Sequence, residues 1–481
     1  MADSRRMAAN LSFTFAARAA ELLAGLTLVG MLSRYLGLED FGRYSVLMAI
    51  GWVVLPLLNL GFPRILVREI AQRRDSTAEQ ILLGWIWNLL LTTLLAAGLL
   101  AVGSFTNLPD LKLLLIIAAS TGIMAMTQTA GTVSIAMQRM QYETIPALTT
   151  AFVLISLVAL VMRWQLGLGA IFTANALACL SGFVTTVLLT NKLFPYLREL
   201  PRQIAALRHA KDLLGESLQI GLFQLLVQLH LYTGVFLLKA LAGNTEAALF
   251  QAPFRIFTRV QIIPMTFMPV LLPIFSRLFF AENRDELRQT SQAVFRFMLL
   301  VCLFLTFFAA ALADQIIPLI LGAEFKASAH VFRILSLSIS FSFLNTIFDA
   351  FFIAAKRISA MGWVQAAGVL LCALGNLLLI PHHASLGSSW AIVLSSGLMF
   401  VVNWLLFRDL LPAMLTKTML TLTIGGAAGT AAAAMAQEYG ILLPLLLGFL
   451  ACAGTAFLLR LVSREDLGRL RRPRCGGSTM K

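Results

Sequence analysis

Long apolar runs constrain this chain more than any other feature of its sequence. Fourteen runs approach the roughly 20 residues that a helix needs to cross the hydrocarbon core of a bilayer. Their approximate limits are 11–32, 45–62, 81–103, 111–135, 146–162, 167–189, 218–240, 247–275, 293–313, 330–354, 359–380, 386–407, 418–436 and 440–462. Because backbone groups inside a membrane must hydrogen-bond within the protein, these runs predict an all-α polytopic membrane protein with about 14 transmembrane helices.

The composition supports the same prediction and excludes a soluble enzyme or nucleic-acid binder. Apolar residues are 59% of the 481 residues, and charged residues are 12%, about half the share in soluble domains. Lys and Arg outnumber Asp and Glu by 37 to 23. In a membrane protein this basic excess indicates which loops face the cytoplasm. The five cysteines are scattered without a CxxC pair, so we expect no metal site, no disulfide framework and no cofactor.

The distribution of Lys and Arg predicts the orientation of the chain. If the N-terminus is cytoplasmic and the spans alternate in direction, the cytoplasmic segments hold 25 Lys and Arg residues and the opposite segments hold four. Basic residues concentrate on the cytoplasmic side of membrane proteins, and one missed span would mix the two groups. We therefore expect the N- and C-termini to be cytoplasmic.

An internal repeat divides the chain into halves. The stretch 135–140 (IAMQRM) resembles 353–358 (IAAKRI) at an offset of 218, and Leu168-Gly169 matches Leu386-Gly387 at the same offset. Earlier in the halves the offset is 206, and the corresponding residues are Gly37, Gly42 and Tyr44 with Gly243, Ala248 and Phe250. Each half begins on the cytoplasmic side and holds six spans. The repeat therefore predicts two six-helix lobes related by a pseudo-two-fold axis along the membrane normal, plus two C-terminal helices.

The resulting domain boundaries place a basic connection between the lobes. The predicted segments are the N-terminal lobe (1–190), a cytoplasmic amphipathic linker (191–217), the C-terminal lobe (218–410), the last two spans (411–462) and a basic cytoplasmic tail (463–481). Apolar residues at helical spacing follow Pro201, which favours an interfacial helix in the linker. An ordinary solvated basic loop is the alternative.

Local motifs resemble one family of membrane transporters. The stretch 33–44 (SRYLGLEDFGRY) is similar to the R-x-L-G-x-x-x-F-G-x-Y signature of polysaccharide transporters, the Wzx-like flippases. In the second half, 251–256 (QAPFRI), 273–276 (PIFS) and 376–381 (NLLLIP) resemble further family stretches. The resemblance covers roughly residues 5–465. At 387–391 the chain reads GSSWA where the family usually has G-A-A-x-A.

This resemblance implies both an architecture and an activity. The fold would be that of multidrug/oligosaccharidyl-lipid/polysaccharide exporters, with two lobes around a central cavity. The implied substrate is a polyprenyl-diphosphate-linked oligosaccharide, such as an O-antigen or exopolysaccharide repeat unit, flipped from the cytoplasmic to the periplasmic leaflet. The resemblance also implies a bacterial inner membrane, a monomeric transport unit, and the polysaccharide polymerase and chain-length machinery as partners.

Arg255 and Arg259 are the strongest candidates for substrate binding. Counted from residue 247, they lie roughly 12 and 18 Å deep in a hydrocarbon core about 30 Å thick. They are four residues apart and therefore share one helix face, where two cations repel each other. A water-filled cavity or a shared anion would relieve this repulsion; a diphosphate is such an anion, and the planar guanidinium fork matches phosphate oxygens. The alternative is that one Arg pairs with Asp349 or Glu21 and the other with backbone carbonyls.

Other polar residues within the spans are weaker candidates. Arg18 either forms a local ion pair with Glu21 or faces the cavity and binds substrate. Gln224 and Gln228 share one face of the seventh span and could bond sugar hydroxyls or join helices.

Three residues are candidates for ion coupling. Glu21 and Asp349 are the carboxylates well inside the predicted spans, and His230 lies in the middle of the seventh. Structural pairing with Arg is the alternative for the carboxylates, and a hydrogen-bonded core position is the alternative for the histidine.

Other functions on the same or a different fold remain open. An ion-coupled multidrug or cation antiporter would favour an acidic cavity, whereas the candidate charges here are net basic. A peptidoglycan-precursor or teichoic-acid flippase fits the sequence as well as a polysaccharide flippase does. We do not expect an enzyme, because the chain has no nucleophile elbow, P-loop or HExxH motif. Nothing in the sequence points to nucleic acid.

Overall fold

The computed structural model describes residues 2–72, 77–106, 110–137, 139, 141–196, 210–281 and 284–411, with five single residues between 420 and 435. Twelve α-helices lie in these ranges. They are α1 (Ala2–Asn59), α2 (Phe62–Gln72), α3 (Thr77–Phe105), α4 (Leu111–Ala136), α5 (Gln141–Trp164), α6 (Gly167–Leu193), α7 (Ala210–Val260), α8 (Ile262–Phe280), α9 (Arg284–Ala311), α10 (Ala313–Leu321), α11 (Ser328–Ala354) and α12 (Ile358–Leu406). One 3₁₀ turn, Ala323–Phe325, precedes α11.

Within the described ranges, nine helical segments are long and apolar enough to cross a membrane. Three of them are unusually long, with 40, 44 and 49 residues in Ala20–Asn59, Ser217–Val260 and Ile358–Leu406. At 1.5 Å per residue they extend over roughly 60–75 Å, which is enough for two crossings each. If each of these three segments is counted as two crossings and each of the other six segments as one, the nine segments account for the first twelve predicted spans. The last two predicted spans, apart from those five single residues, and the basic tail lie outside the described ranges, as do residues 197–209 of the predicted linker.

Each long helix contains a break at which the chain can reverse direction. Gly37 has φ 66° and ψ −173°, and Gly243 has φ 89° and ψ −178°. This backbone region is essentially restricted to glycine, because a Cβ atom would clash there. The two glycines are the counterparts that the repeat predicts, and they adopt the same conformation. The third break is at Ala384, with φ 46°.

Two helical hairpins are related by the same offset as the sequence repeat. In the first half, Gly182 of α6 faces Thr150 of α5, a pairing centred on residue 166. In the second half, Gly368 faces Met399 across the break in α12, a pairing centred between residues 383 and 384. At each crossing a glycine gives room for a larger side chain on the opposite helix. The two centres differ by about 218 residues.

The described chain divides into two compact units. The first comprises Met1–Ala252 and Ile320–Phe325, and the second comprises Pro253–Leu319 and Lys326–Lys481. A buried cluster in the first unit joins α2, α3 and α4 and contains Phe62, Leu66, Ile70, Ala78, Ile81, Val133 and Tyr196. The core of the second unit is rich in phenylalanine, with Phe275 and Phe351 in edge contact at 4.7 Å between ring centroids. Phe348, Phe400 and Phe407 extend that core across α11 and α12.

Three details differ from the sequence-based prediction. The apolar run 247–275 is interrupted at Gln261, where α7 ends and α8 begins. Pro264 lies in the first turn of α8, where a missing N–H is tolerated. Helix α5 starts five residues before Pro146, which therefore lies inside it. The segment 314–329, which separates two predicted spans, contains most of α10 and the 3₁₀ turn.

The conformation of the two glycine breaks predicts a specific stability cost. Gly243→Ala should lower the free energy of unfolding by about 1–3 kcal/mol, because alanine rarely adopts this backbone region. A Cβ at Gly243 would contact nothing within 4 Å, so the loss would come from the backbone alone. Gly98→Ala is the matched control, since it lies within α3 and its Cβ would also meet open space. Thermal unfolding in detergent measures both variants, and equal midpoints would contradict the prediction.

Candidate functional site

A chain of buried polar side chains connects α11 and α12 in the second unit. Asn403 Nδ2 donates to Asn345 Oδ1 at 3.1 Å, and Asn345 Nδ2 donates to the carbonyl of Ser396 at 3.2 Å. Ser338 Oγ lies 3.5 Å from Ser396 Oγ. Asn403 is only 3% exposed, so its side-chain N–H has to donate within the protein. These bonds hold the two helices in one register.

Asp349 lies next to this chain on α11. It follows Asn345 by four residues and therefore occupies the same helix face one turn further on. Its side chain is half-buried. The sequence indicates Asp349 as an ion-coupling candidate but carries no sign of the amide bonds one turn away. The structure thus places this carboxylate on the helix face that also carries Asn345.

The two candidate arginines lie near the end of α7, beyond the break at Gly243. Arg255 and Arg259 are half-buried, while Ile256 and Phe257 between them are 6% and 1% exposed. Arg255 and Arg259 therefore lie on a more exposed side of the helix than Ile256 and Phe257 do. Arg255 also accepts a hydrogen bond through its carbonyl from Thr258 Oγ1 at 3.0 Å. The shared face expected from the spacing of the two arginines is present in this helix.

A side-chain hydrogen bond connects the end of α7 to α11. Gln261 Nε2 donates to Ser342 Oγ at 3.2 Å. Gln261 follows Arg259 by two residues, and Ser342 precedes Asn345 by three. The helix that carries the arginine pair is therefore followed directly by a residue that is bonded to α11, the helix of Asn345 and Asp349, within the second unit.

The remaining candidates lie in the first unit. Gln224 and Gln228 are half-buried one turn apart on α7, ahead of its break. His230 on the same helix is 8% exposed. Glu21 is half-buried on α1, and Arg18 precedes it by three residues on that helix, with its side chain outside the described part.

The first unit also holds a small pocket that the sequence did not predict. Its volume is about 60 Å³, and it lies between α1, α4 and α6. Polar groups on its wall come from Ser120, Thr121, Asn175 and Cys179, while Trp52 contributes an aromatic face. Such a volume holds about four or five water molecules and is far below the roughly 300 Å³ of typical small-molecule sites. The pocket is therefore too small for a sugar diphosphate.

Buried amides also join the helices of the first unit. Asn59 donates to Gln128 Oε1 at 2.5 Å, and Asn88 donates to Thr129 Oγ1 at 2.9 Å. Both asparagines are at most 3% exposed. These bonds connect α1 and α3 to consecutive positions of α4, which is the usual role of amides between membrane helices. In the described ranges no three His, Cys, Asp or Glu side chains are grouped as metal ligands would be.

Comparison with known families gives two matches that each cover more than half of the chain. The model of the family described as "Polysaccharide biosynthesis protein" matches residues 7–279. The model of the family described as "Lipid II flippase MurJ" matches residues 144–443. No curated protein sequence matches the chain.

Solved structures with the same fold belong to related transporters. The lipid II flippase MurJ in an inward closed conformation is 13% identical, with a TM-score of 0.67 over 95% of this chain and 98% of that one. An inward-facing MATE multidrug transporter of the MOP superfamily is 15% identical, with a TM-score of 0.64 over 82% and 99%. A MOP-superfamily transporter from Pyrococcus furiosus, described by the reverse polarity of its binding pocket, is 16% identical, with a TM-score of 0.54 over 82% and 94%. These likenesses show an all-α, multi-pass membrane fold.

The amide network beside Asp349 predicts a measurable stability effect. Asn403→Leu should lower the free energy of unfolding by about 1–3 kcal/mol, because Asn345 Oδ1 would lose its donor in a half-buried position. Trp404→Phe is a useful comparison, since it removes the hydrogen bond of 2.8 Å from the indole to the carbonyl of Leu411 but keeps a ring. Denaturation midpoints in detergent measure both. A midpoint for Asn403→Leu at or above the wild-type value would contradict the role of the network.

Proposed function

Because this chain belongs to the polysaccharide biosynthesis protein family, we propose that it flips a polyprenyl-diphosphate-linked oligosaccharide from the cytoplasmic to the outer leaflet of a bacterial inner membrane. It is a transporter of the MOP superfamily and not an enzyme. An O-antigen or exopolysaccharide repeat unit is the proposed glycan. The observation that carries the proposal is the pair of arginines on one face of a membrane-spanning helix in a chain of this family.

The charge of the arginine pair favours an anionic substrate. A charge near the centre of a bilayer costs roughly 2.5–3.5 kcal/mol on insertion scales, so two neighbouring cations need a strong compensating interaction. The diphosphate supplies two adjacent anionic groups, and each guanidinium can donate two parallel hydrogen bonds to phosphate oxygens. In this proposal Arg255 and Arg259 bind the diphosphate, and Arg18 is a further substrate-binding residue. Gln224 and Gln228 bind sugar hydroxyls, while the polyprenyl tail remains in the lipid.

The proposed architecture has two six-helix lobes related by an axis along the membrane normal, followed by two C-terminal helices. The matching breaks at Gly37 and Gly243 support this symmetry, as does the common offset of the two hairpins. Transporters with parallel repeats bind their substrates near the bilayer midplane and alternate access around that site. The 25-to-4 distribution of basic residues supports cytoplasmic termini. We propose a single chain as the transport unit, with the polymerase and chain-length machinery as partners.

A second candidate is the transport of a peptidoglycan precursor or teichoic-acid intermediate. The match to the MurJ family model over residues 144–443 favours it. Such a substrate would present a lipid-linked anionic headgroup to the same arginines, so the two candidates differ in the glycan and not in the chemistry of the site. Export of cationic drugs, the activity of related MATE transporters, is disfavoured by the net basic set of candidate residues.

Coupling to an ion gradient is proposed for the polar region beside α11. Asp349 is the first candidate, because it lies one helical turn from Asn345 on α11, and Glu21 and His230 are the others. Protonation of a carboxylate during the cycle would change the net charge of the candidate set, so substrate release and proton binding would be linked.

Removal of the arginine pair should abolish flipping. In proteoliposomes with a fluorescent polyprenyl-diphosphate oligosaccharide, accessibility of the headgroup to an external glycosidase measures transfer. The Arg255→Ala/Arg259→Ala variant should lose about hundredfold or more, because each charge-assisted hydrogen bond is worth roughly 1.5–3 kcal/mol. Arg163→Ala, at the exposed end of α5, removes one cation away from the site and should flip at the wild-type rate. Intact flipping by the double variant would reject the site.

Neutral substitutions should identify the coupling group. Flipping is measured with and without an imposed pH gradient in Asp349→Asn, Glu21→Gln and His230→Gln. We expect Asp349→Asn to remove the response to the gradient, because an amide cannot take up the proton. Glu21→Gln and His230→Gln should retain the response. A normal response in Asp349→Asn would exclude this carboxylate as the coupling site.

A further inference from the structure

The small pocket between α1, α4 and α6 lies entirely within the first unit. Thr121 on its wall follows the start of α4 at Leu111 by ten residues, which places the pocket about 15 Å along that helix. This depth is near the middle of a hydrocarbon core about 30 Å thick. Transporters bind their substrates near the bilayer midplane, so the pocket lies at the depth expected of a substrate contact.

Two polar side chains on the pocket wall have no hydrogen-bond partner among the described residues. They are the hydroxyl of Thr121, which is 7% exposed, and the amide of Asn175, which is half-buried. The Thr121 hydroxyl is directed towards α1, since it lies 3.0 Å from the position that a Cβ would take at Gly51. A buried polar group without a partner costs free energy, so a ligand that bonds to both groups would remove that cost.

Apolar side chains form much of the remaining wall. Leu55 of α1 and Ile117 of α4 are 5% and 4% exposed. Trp52 and Met124 also line the pocket, and both are half-buried and pack against the cluster that contains Leu55. The pocket therefore opens beside an indole ring and combines an apolar interior with a few polar groups, as small-molecule sites do.

The side of the unit that carries the pocket also carries an oriented amide. Asn59 follows Leu55 by four residues on α1, and Gln128 follows Met124 by four on α4. Each therefore lies one turn beyond the pocket wall. Asn59 Nδ2 donates to Gln128 Oε1 at 2.5 Å, which fixes the orientation of the Gln128 amide. Gln128 is exposed, and its own N–H groups have no partner in the described part of the chain. Unpaired donors are costly against lipid tails, which favours water on this side of the unit.

The chemistry of the wall matches an acetamido group, the substituent of N-acetylated amino sugars. That group presents a methyl group, an N–H donor and a carbonyl acceptor. Leu55 and Ile117 offer apolar contact to the methyl group, the Asn175 amide can accept and donate, and the Thr121 hydroxyl can donate to the carbonyl. A volume of about 60 Å³ holds a substituent of this kind but not a sugar ring. The ring would remain outside, with its apolar C–H face against Trp52.

We infer that this pocket binds the acetamido group of an N-acetylated sugar in the transported glycan. The site rests on the proposed function in that its ligand is taken to be a glycan, and it specifies a sugar class that the proposed function leaves open. It is formed by the first unit alone and does not involve the arginine pair.

Two soluble disaccharides test the pocket directly. N,N′-diacetylchitobiose and cellobiose share one backbone and one linkage, and they differ only in the acetamido groups that replace two hydroxyls. Saturation-transfer NMR with the purified full-length protein in detergent measures the affinity for each. Diacetylchitobiose should bind about tenfold more tightly, and its acetyl methyl protons should receive the largest transfer. Equal affinities, or no binding of diacetylchitobiose, would overturn the inference.

Substitutions on the wall should weaken binding of the acetylated sugar alone. Asn175→Leu and Thr121→Val should each lower the affinity for diacetylchitobiose about fivefold, the effect of one lost hydrogen bond, and leave cellobiose binding unchanged. Their melting temperatures should not fall, because neither side chain has a partner among the described residues. Thr173→Val is the matched control, since Thr173 is exposed on α6 and bonds to the carbonyl of Ala170. Wild-type affinity in both wall variants would overturn the site.

Flipping assays distinguish a failure of this site from a failure of the proposed function. With polyprenyl-diphosphate-linked diacetylchitobiose at a subsaturating concentration, Asn175→Leu should flip about fivefold more slowly than the wild type. With the cellobiose counterpart the two proteins should flip at equal rates. Binding of diacetylchitobiose through the pocket without flipping of either lipid would reject the proposed function and support the sugar site. Equal flipping of both lipids by the wild type and by Asn175→Leu would overturn the site and support the proposed function.

Discussion

Inside a bilayer every backbone donor and acceptor must be satisfied by the protein, and the rest of this structure depends on that requirement. It makes long helices the natural form of the apolar runs. It also makes each change of direction costly, because a turn leaves backbone groups without helical partners. This chain reverses direction through short breaks at Gly37, Gly243 and Ala384. The first two breaks are packed around Gly42 and Asn244, where a larger residue at position 42 would not fit.

The same requirement explains the polar side chains between the helices. Asn59, Asn88, Asn345 and Asn403 each donate to a partner on a neighbouring helix, so their amides connect helices. Arg255 and Arg259 are different, because full charges are far more costly in this environment than neutral amides. In the proposed function an anionic ligand interacts with these two cations on one face. The proposal rests on this contrast between neutral amides that join helices and a pair of cations on one helix face.

Much of the fold could be predicted from the sequence because membrane helices are encoded locally. Run length and charge distribution indicated the first twelve spans, and the repeat paired Gly37 with Gly243 before their common backbone conformation was known. Features that depend on contacts between distant residues could not be predicted. The Asn345–Asn403 bond joins positions 58 residues apart, and Ser33 meets Leu321 across 288 residues. No local pattern distinguishes these asparagines and serines from others.

The central claim is that the protein recognises an anionic, lipid-linked diphosphate. Ligand-dependent thermal stabilisation of the purified protein tests it most directly, with a polyprenyl-diphosphate oligosaccharide, the corresponding monophosphate lipid and a cationic dye compared at equal concentration. A ligand that binds the folded state stabilises it by roughly 2.7 kcal/mol at a hundred times its Kd. The account predicts the largest rise in Tm with the diphosphate and none with the dye. A rise with the dye and none with the diphosphate would contradict it.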